Sequence, residues 1–374
     1  MKSAFENIFT NRTVLITGHT GFKGTWLALW LHELGANVVG FSIDPPTQPN
    51  LFSLTGLGDK IIDVRGDVRE AAALHRVLTT YQPEIVLHLA AQSQVLPGYR
   101  DPITTFETNV NGTINVLEAV RATPAVKVCL CITTYKVYED QGYVWGYRED
   151  DRLGEHDPYG ASKAMAELAA AAYRQSFFSP QNDREHNVAL ATVRATNVIG
   201  GGDFADFRLV PDCMRALLAG EPICLRTPHT MRHWQHVLEP LSGYLWLVTR
   251  LLQNGPAYAE AWNFGPSERV GVTAQAVAEK AIELWGSGRW QHIEPEVVWK
   301  ESTLLTLNWD KAARRLGWQP VYTWEQALAI TVDWFKAYQE QADLYAITAQ
   351  QIQTYTHQAR HKNLPWAQKD PTVS

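Results

Sequence analysis

Three side chains in the middle of the chain have the types and the spacing that hydride transfer requires. Thr134 follows an apolar run, and Tyr159 and Lys163 stand four residues apart after Asp157-Pro158, a typical helix start. Side chains at i and i+4 share one helix face. A tyrosine, whose reference pKa is about 10, becomes a base when a nearby cation favours its phenolate, and Lys163 supplies that charge. Because Thr134 would hydrogen-bond the substrate hydroxyl beside Tyr159, the three residues predict oxidation of an alcohol.

A Tyr-x-x-x-Lys pair also occurs by chance on protein surfaces, so this prediction depends on a glycine-rich stretch upstream. Gly18, Gly21 and Gly24 stand between an apolar run at 14–16 and a helical pattern at 26–31. A strand, a tight glycine turn and a helix in this order let backbone N–H groups approach a pyrophosphate. The alternative is an ordinary strand-to-helix turn, because the spacing differs from the commoner G-x-G-x-x-G.

Apolar runs alternate with helical patterns through the first half of the chain. After the first strand, the runs at 36–44, 61–64, 84–91 and 126–133 predict four more strands, and 105–122 predicts a long helix. This alternation predicts an α/β fold with a doubly wound, parallel, Rossmann-type sheet. In such folds the ligand lies at the carboxyl ends of the strands.

Polar residues after the second and third strands are candidates for contacts with the adenosine half of a dinucleotide. Asp44, or Ser42 if the second strand ends earlier, would accept from the ribose. Asp67 would either reach the adenine or cap a helix that begins near Arg69. No Lys or Arg stands between Ser42 and Leu51 to pair a 2′-phosphate, so NAD is predicted rather than NADP, although Lys23 is a nearby cation.

The composition excludes several classes of function. The chain has 374 residues and a formal net charge of −6, which provides no general affinity for nucleic acid or an anionic membrane. It contains no apolar run of about 18 residues and no signal-peptide pattern, so we expect a cytoplasmic protein. Four cysteines predict neither disulfides nor a metal site; they are Cys129, Cys131, Cys213 and Cys224.

Further motifs extend this pattern over the chain up to about residue 352. They are 17–24, Ala90-Ala91-Gln92, Trp145-Gly-Tyr-Arg-Glu149, Tyr159-x-x-x-Lys163, Arg194-x-x-Asn197, Gly200-Gly-Gly-Asp203, Trp234 to Pro240 and Trp262 to Pro266. Together they resemble the extended short-chain dehydrogenase/reductase family that acts on nucleotide sugars, in particular its branch that dehydrates CDP-linked hexoses. The resemblance implies NAD as cofactor, a nucleotide-sugar substrate with CDP-glucose favoured, and a smaller C-terminal substrate domain.

The resemblance also implies roles for individual residues. The catalytic set is Thr134, Tyr135, Lys136, Tyr159 and Lys163, with Lys136 placed to remove the carbon-5 proton. The implied cofactor-binding residues are Gly18, Thr20, Gly21, Phe22, Lys23, Gly24, Asp44, Asp67, Val68, Ala90, Ala91, Gln92, Thr108, Tyr159 and Lys163. Substrate binding falls on Asn197 at the end of a sixth strand, Arg208, Arg232 and His236. The two arginines would meet the pyrophosphate, although each alone fits a solvated surface role, and His236 with Glu239 would fix a crossing between domains without reacting.

The resemblance implies that each chain has two domains. It also implies that two chains form a homodimer, or that two such dimers form a tetramer. The NAD-binding domain comprises 1–200 and 234–260, the nucleotide-sugar-binding domain comprises 201–233 and 261–352, and 353–374 is expected to be frayed. The family pairs subunits through a four-helix interface, which requires apolar outward faces on the helices from Thr105 and Asp157. Met165, Leu168, Ala169 and Ala172 fall on one such face. The alternative is that this face packs against the chain's own sheet.

Four positions near the sugar depart from the family pattern. Tyr135 replaces the acid after the catalytic threonine, Leu96 replaces an arginine, Thr196 a glycine and His233 a proline. A phenol is protonated at neutral pH but is bulkier and a weaker acid than a carboxylic acid. Tyr135 therefore either donates through a hydrogen bond or blocks dehydration, and we expect slow dehydration with oxidation at carbon 4 preserved. The alternatives are an epimerase or simple oxidoreductase, and a catalytically silent homologue.

Overall fold

The computed structural model describes residues 4–178, 188–294 and 305–368. Thirteen strands lie in these ranges: β1 Thr13–Thr17, β2 Asn37–Ser42, β3 Ile62–Arg65, β4 Ile85–His88, β5 Val128–Ile132, β6 Ala189–Ala195, β7 Asn197–Ile199, β8 Ile223–Leu225, β9 Met231–Arg232, β10 Trp234–His236, β11 Ala261–Phe264, β12 Val272–Thr273 and β13 Trp290–His292. Seven of them form one sheet in the order β11-β6-β5-β4-β1-β2-β3, with every pair parallel.

The described residues also form thirteen α-helices. They are α1 Phe22–Glu33, α2 Leu51–Leu54, α3 Ala71–Tyr81, α4 Val95–Arg100, α5 Pro102–Phe106, α6 Gly112–Arg121, α7 Pro158–Ser176, α8 Leu209–Ala219, α9 Leu238–Tyr258, α10 Ala274–Trp285, α11 Asp310–Leu316, α12 Trp324–Gln339 and α13 Leu344–His361. The single helix predicted at 105–122 is instead α5 and α6 joined by a π-helical segment at Glu107–Asn111.

The predicted Rossmann-type α/β fold is confirmed. The order of β3, β2, β1, β4, β5 and β6 is the order of a doubly wound nucleotide-binding sheet. Every residue of β5 and β6 is buried, as expected for parallel strands that helices cover on both faces. Helices α3, α6 and α7 pack together beside the sheet, and α9 packs on β5 and β6.

The turn between β1 and α1 has the close packing that its glycines predict. Gly18 has a φ of +79°, in the region that favours glycine. A Cβ atom on Gly24 would lie 2.1 Å from the carbonyl oxygen of Gly18, and one on Gly18 would lie 2.7 Å from the backbone nitrogen of Ala90. The backbones of this turn and of the loop after β4 therefore approach each other as only glycines allow.

Short strand pairs build the region beyond the main sheet. β8 pairs with β13, β9 pairs with β12, and β7 pairs with β10. Two boundary predictions were wrong. Asn197 begins β7 and does not end the sixth strand. The segment Ala261–Phe264, assigned to the substrate domain, is the edge strand of the central sheet beside β6, because its apolar residues cover that edge.

The prediction of a frayed tail from residue 353 is wrong for the residues up to 368. Tyr355 and Trp366 are fully buried, and the Trp366 ring stacks on Phe5 with centroids 5.1 Å apart. Tyr355 also donates to the buried carboxylate of Glu239 at 2.8 Å, which further accepts from the backbone nitrogens of Val321 and Tyr322 at 2.9 and 2.7 Å. These few aromatic residues anchor a segment whose average composition is polar.

Among the described residues, no helix is both long and apolar enough to cross a membrane. The four cysteines are free thiols, and Cys224 alone among them is exposed.

Candidate active site

A cavity of about 1360 Å³ opens at the carboxyl ends of the sheet strands and continues between α8, β8 and β9. Its wall includes every residue that the sequence analysis assigned to catalysis or cofactor binding, together with Asn197, Arg208 and Arg232. The wall also carries seven cationic side chains: Lys23, Arg69, Lys136, Lys163, Arg208, Arg226 and Arg232. A chain with a net negative charge thus concentrates positive charge where an anionic ligand would bind.

One end of this cavity fits the pyrophosphate of a dinucleotide. No side chain caps the amino end of α1, whose first residues Phe22 and Lys23 line the cavity, so its backbone N–H groups point to a potential anion site. Burial, with the charges of Arg208 and Lys163 nearby, lowers the pKa of Lys23 to about 7. A phosphate among these three cations would relieve their mutual repulsion. The glycine cradle and the clustered cations therefore fit NAD or NADP.

The two residues predicted to bind the adenosine ribose, Ser42 and Asp44, line the cavity. Each also contacts another side chain of the protein. β2 ends at Ser42, whose hydroxyl lies 2.8 Å from that of Thr20. The Asp44 side chain is 92% exposed, and its carboxylate lies 3.5 Å from the guanidinium of Arg65. Arg65 comes from the neighbouring strand β3 and also donates to Asp63 at 2.8 Å. The sequence analysis missed Arg65 because it is distant in sequence from the end of β2.

Asp67 does not cap a helix, so one of its two predicted roles is wrong. Helix α3 begins at Ala71, with Glu70 at the N-cap position. Asp67 instead accepts from the backbone nitrogen of Arg69 at 2.9 Å and from its guanidinium at 2.6 Å. That guanidinium lowers the pKa of Asp67, which lines the cavity as a carboxylate and retains the adenine contact as its predicted role.

Thr134, Tyr159 and Lys163 meet as predicted. Thr134 follows the end of β5, and Tyr159 and Lys163 lie in the first two turns of α7. The carboxylate of Asp157 caps that helix by accepting from the backbone nitrogen of Gly160 at 2.9 Å. All three predicted catalytic groups line the cavity, which places an alcohol-oxidising set beside the glycine cradle.

Burial and several neighbouring groups act on the phenol of Tyr159, which was predicted to depend on the charge of Lys163. Burial raises the pKa of Tyr159 to about 12, while a hydrogen bond with Thr134 and the charge of Arg208 oppose the rise. The Lys163 ammonium donates to the carbonyl oxygen of Ile132 at 2.9 Å, and burial lowers its pKa to about 8. Thr134 and Arg208 thus favour the phenolate in addition to the predicted charge of Lys163.

The turn after Thr134 carries the two residues assigned to elimination. Tyr135 is 6% exposed, and its hydroxyl donates to Oδ1 of Asn197 at 3.3 Å. Lys136 is 7% exposed, and its ammonium has no hydrogen-bond partner among the described residues. The nearest carboxylate oxygen is Oδ2 of Asp157, at 4.0 Å from Nζ. A buried amine nitrogen without a hydrogen bond is costly, so this group fits a polar ligand in the cavity.

Of the four residues predicted to bind the substrate, Asn197, Arg208 and Arg232 line the cavity and His236 does not. Arg208 donates to Asp203 at 2.9 Å and to Ser93 at 3.1 Å, and like Arg232 it lines the cavity. His236 is wrong as a substrate contact: its ring is fully buried outside the cavity, with its centroid 5.6 Å from that of Trp26. It accepts from the backbone nitrogen of Leu238 at the start of α9, which agrees with its expected role in fixing the crossing.

Two of the residues that depart from the family pattern, Thr196 and His233, have hydrogen-bond partners in the structure. The hydroxyl of Thr196 accepts from Gln235 at 2.9 Å. The ring of His233 lies 2.8 Å from the hydroxyl of Thr306. A third, Leu96, lines the cavity in α4. Of these three, only Leu96 and Thr196 face the cavity, so they are the ones that could alter sugar binding.

Comparison with known proteins agrees with this geometry. The family model for GDP-mannose 4,6 dehydratase matches residues 15–331. A CDP-glucose 4,6-dehydratase of Salmonella typhimurium is 44% identical over 315 residues, which are 84% of this chain and 88% of that protein. Among solved structures, a dTDP-glucose 4,6-dehydratase of Bacillus anthracis in complex with NAD superposes with a TM-score of 0.72 and 24% identity, over 89% of this chain and 99% of the other. A UDP-glucose 4-epimerase of Thermotoga maritima has a TM-score of 0.74 and 21% identity, over 87% and 99%. These two structures share the fold.

Proposed function

The chain belongs to the GDP-mannose 4,6 dehydratase family, and on that premise we propose that it removes water from CDP-glucose to give CDP-4-keto-6-deoxy-D-glucose. The observation that carries the proposal is that one cavity wall presents Thr134 and Tyr159 beside the unpartnered amine of Lys136. The first two form a pair that oxidises an alcohol. The third is a base for the carbon next to the new ketone.

The steps assign a role to each of these side chains. Thr134 and Tyr159 bind the carbon-4 hydroxyl, and Tyr159 takes its proton as the ketone forms. The ketone acidifies the carbon-5 proton, which Lys136 removes. Loss of the carbon-6 hydroxyl as water then creates a double bond between carbons 5 and 6, which is finally reduced by a hydride at carbon 6 and a proton at carbon 5. Arg208 and Arg232 would bind the substrate pyrophosphate, with the guanidinium planes suited to two oxygens each.

We assign the cofactor to NAD, held by the glycine turn, Lys23, Asp44, Asp67 and the loop after β4. When bound, NAD accepts the hydride from carbon 4 and returns a hydride to carbon 6, so each turnover regenerates it. The chain's own contribution is to hold the dinucleotide at the carboxyl edge of the sheet and to cover it with Tyr159 and Lys163. Gln92 is fixed there by donating to Thr105 at 2.9 Å and by accepting, through its side-chain oxygen, from the backbone nitrogen of Gln94.

A panel of CDP-, dTDP-, UDP- and GDP-linked hexoses, analysed by mass spectrometry, tests the function. We expect a product lighter by one water from CDP-glucose and little or none from the others. The alternative of an epimerase or oxidoreductase that has lost elimination is not favoured, because a dehydratase is 44% identical over 84% of the chain, whereas an epimerase that covers 83% of it is 25% identical. A product of unchanged mass from every sugar would overturn the proposal.

Cofactor extraction should release mainly NAD(H). The exposed carboxylate of Asp44 would repel a 2′-phosphate, and the nearby Arg65 is already paired with Asp63 and Asp44. Asp44→Asn should therefore raise the share of NADP(H) in the extract, because it removes the repulsion and one partner of Arg65. Chromatography with mass detection measures the amounts of NAD(H) and NADP(H) in each extract. Recovery of mostly NADP(H) from the unmodified protein would contradict the assignment.

Tyr135 should limit the rate of water loss. It occupies the acid's position in the family, and its hydroxyl proton is donated to Asn197. Tyr135→Asp should speed the release of water from CDP-glucose more than it changes oxidation at carbon 4, because a carboxylic acid is stronger than a phenol by about six pKa units. Tyr135→Phe is the control. If the unmodified protein dehydrates quickly and neither variant changes the rate, Tyr135 is not in the acid's place.

We also propose that the protein forms a homodimer through α7. Met165 and Leu168 on that helix are 46% and 60% exposed, so the alternative that they pack against the chain's own sheet is wrong. Ile103 in α5 is 71% exposed. Exposed apolar residues on neighbouring helices are typical of a subunit interface. Sedimentation velocity at micromolar concentration should give a dimer, and Leu168→Glu should give monomers. A monomeric unmodified protein would refute the pairing.

A further inference from the structure

The amine nitrogen of Lys136 lies between the turn after β5 and the first turn of α7, 4.0 Å from Asp157. The residue is 7% exposed, lines the cavity, and has no hydrogen-bond partner among the described residues. The backbone beside it is fixed by two contacts. Its own nitrogen donates to the Thr134 hydroxyl at 3.3 Å, and the turn packs on the helix so closely that a Cβ on Gly160 would lie 2.7 Å from the Lys136 carbonyl oxygen.

Asp157, at the N-cap of α7, lies beside Lys136 and outside the cavity lining. It is 3% exposed, and its two carboxylate oxygens face different elements. Oδ1 accepts from the backbone nitrogen of Gly160 at 2.9 Å and caps α7. Oδ2 lies 4.0 Å from Nζ of Lys136, beyond hydrogen-bond distance and at the limit of an ion pair. One carboxylate therefore contacts both the helix that carries Tyr159 and Lys163 and the base assigned to carbon 5.

Tyr135 is poorly placed to supply the proton for the leaving hydroxyl. Its single hydroxyl proton is donated to Asn197, whereas the Lys136 amine has no competing acceptor among the described residues. Lysine is thus the group beside the cavity that can both take and give a proton during elimination.

We infer that Asp157 is a positioning residue that holds Lys136 against the cavity and stabilises the ammonium formed when Lys136 carries the carbon-5 proton to the leaving hydroxyl. This inference rests on the proposed dehydration. The neutral amine takes the proton from carbon 5, and the electron pair of that bond forms the carbon 5–carbon 6 double bond. The bond from carbon 6 to oxygen breaks, the ammonium protonates the departing oxygen, and water and the neutral amine result. The elimination therefore balances with Lys136 alone, and a carboxylic acid at position 135 would speed it only by adding a second, stronger proton donor. The proton that carbon 5 takes when the double bond is later reduced comes from solvent.

Asp157→Asn tests the charge without removing the helix cap, because asparagine is as good an N-cap residue as aspartate. Asp343→Asn is the matched control: Asp343 caps α13 by accepting from the nitrogen of Ala346 at 3.0 Å, and it is exposed and outside the cavity. CDP-6-deoxyglucose lacks the leaving hydroxyl. With this substrate, absorbance at 340 nm reports oxidation at carbon 4, and deuterium uptake at carbon 5 from D₂O reports proton removal.

Asp157→Asn should lower both deuterium uptake at carbon 5 and water loss from CDP-glucose by about 10-fold or more, with oxidation at carbon 4 within about 3-fold of the unmodified protein. Asp343→Asn should leave all three unchanged. Equal losses in oxidation and uptake, or no loss in uptake, would overturn the inference. If the unmodified protein releases no water from CDP-glucose, the proposed function fails, while uptake into CDP-6-deoxyglucose still tests the Asp157–Lys136 pair.

The pH profile of carbon-4 oxidation is a further measurement, because it should stay unchanged if Asp157 has only a structural role. Thr134, Arg208, Tyr135 and Asp157 are the groups that act on Tyr159, and the negative charge of Asp157 raises the pKa of its phenol. Asp157→Asn should therefore shift the acid limb of carbon-4 oxidation to lower pH while proton removal at carbon 5 slows. An unshifted limb together with normal uptake would contradict the assigned role.

Discussion

Tyr159→Phe should lower the rate of carbon-4 oxidation in CDP-glucose by about 10²–10⁴-fold, the contribution that a positioned general base makes. The variant removes the hydroxyl that we propose takes the proton of the carbon-4 alcohol, and it keeps the ring that lines the cavity. Because dehydration begins with this oxidation, release of product should fall by the same factor. The content of bound dinucleotide should stay the same, since Lys163 and the glycine turn are unchanged.

Single-turnover absorbance at 340 nm measures that step, and product mass measures the overall reaction. Tyr81→Phe is the matched control, because Tyr81 ends α3 and does not line the cavity. A Tyr159→Phe variant that oxidises carbon 4 at close to the normal rate would show that another group takes the proton.

Lys136→Met should separate the two halves of the reaction. Methionine has a similar length but no basic group, so removal of the carbon-5 proton should fall by about 10²-fold or more. Oxidation at carbon 4 should stay within a few-fold, because Thr134, Tyr159 and Lys163 are intact. Reduced cofactor should then accumulate with CDP-glucose, whereas the unmodified protein should show it only transiently.

Lys127→Met is the control for this substitution, because that lysine is 59% exposed in a surface ion pair with Glu84. Rapid-quench analysis with mass detection distinguishes oxidised substrate from dehydrated product. Equal loss of both activities in Lys136→Met would mean that Lys136 supports the cavity wall and does not act as the base.

The sequence predicted those parts of the molecule that local patterns determine. Gly18 and Gly24 predicted a close approach of backbones because only glycine tolerates it, and the alternation of strands and helices predicted a doubly wound parallel sheet. Tyr159 and Lys163 predicted one helix face because the period of an α-helix brings i and i+4 together. These inferences need no knowledge of which distant segments meet.

The errors and omissions arose where distant segments meet. The pKa of Tyr159 is set by burial and by Arg208, which follows it by 49 positions in the printed sequence. The packed tail depends on Trp366 reaching Phe5 at the opposite end of the chain. Asp157 was recognised only as a helix start, because its 4.0 Å approach to Lys136 depends on how the turn after β5 packs on α7. Such contacts are properties of the fold and are not encoded in any short motif.

The most direct test of the central claim uses CDP-glucose that carries deuterium at carbon 4. A dehydratase that removes a hydride from carbon 4 and returns it to carbon 6 should give a product lighter by one water, with the deuterium at carbon 6 as located by NMR. Deuterium that remains at carbon 4 in a sugar of unchanged mass would indicate an epimerase and would contradict the account, as would deuterium lost to solvent.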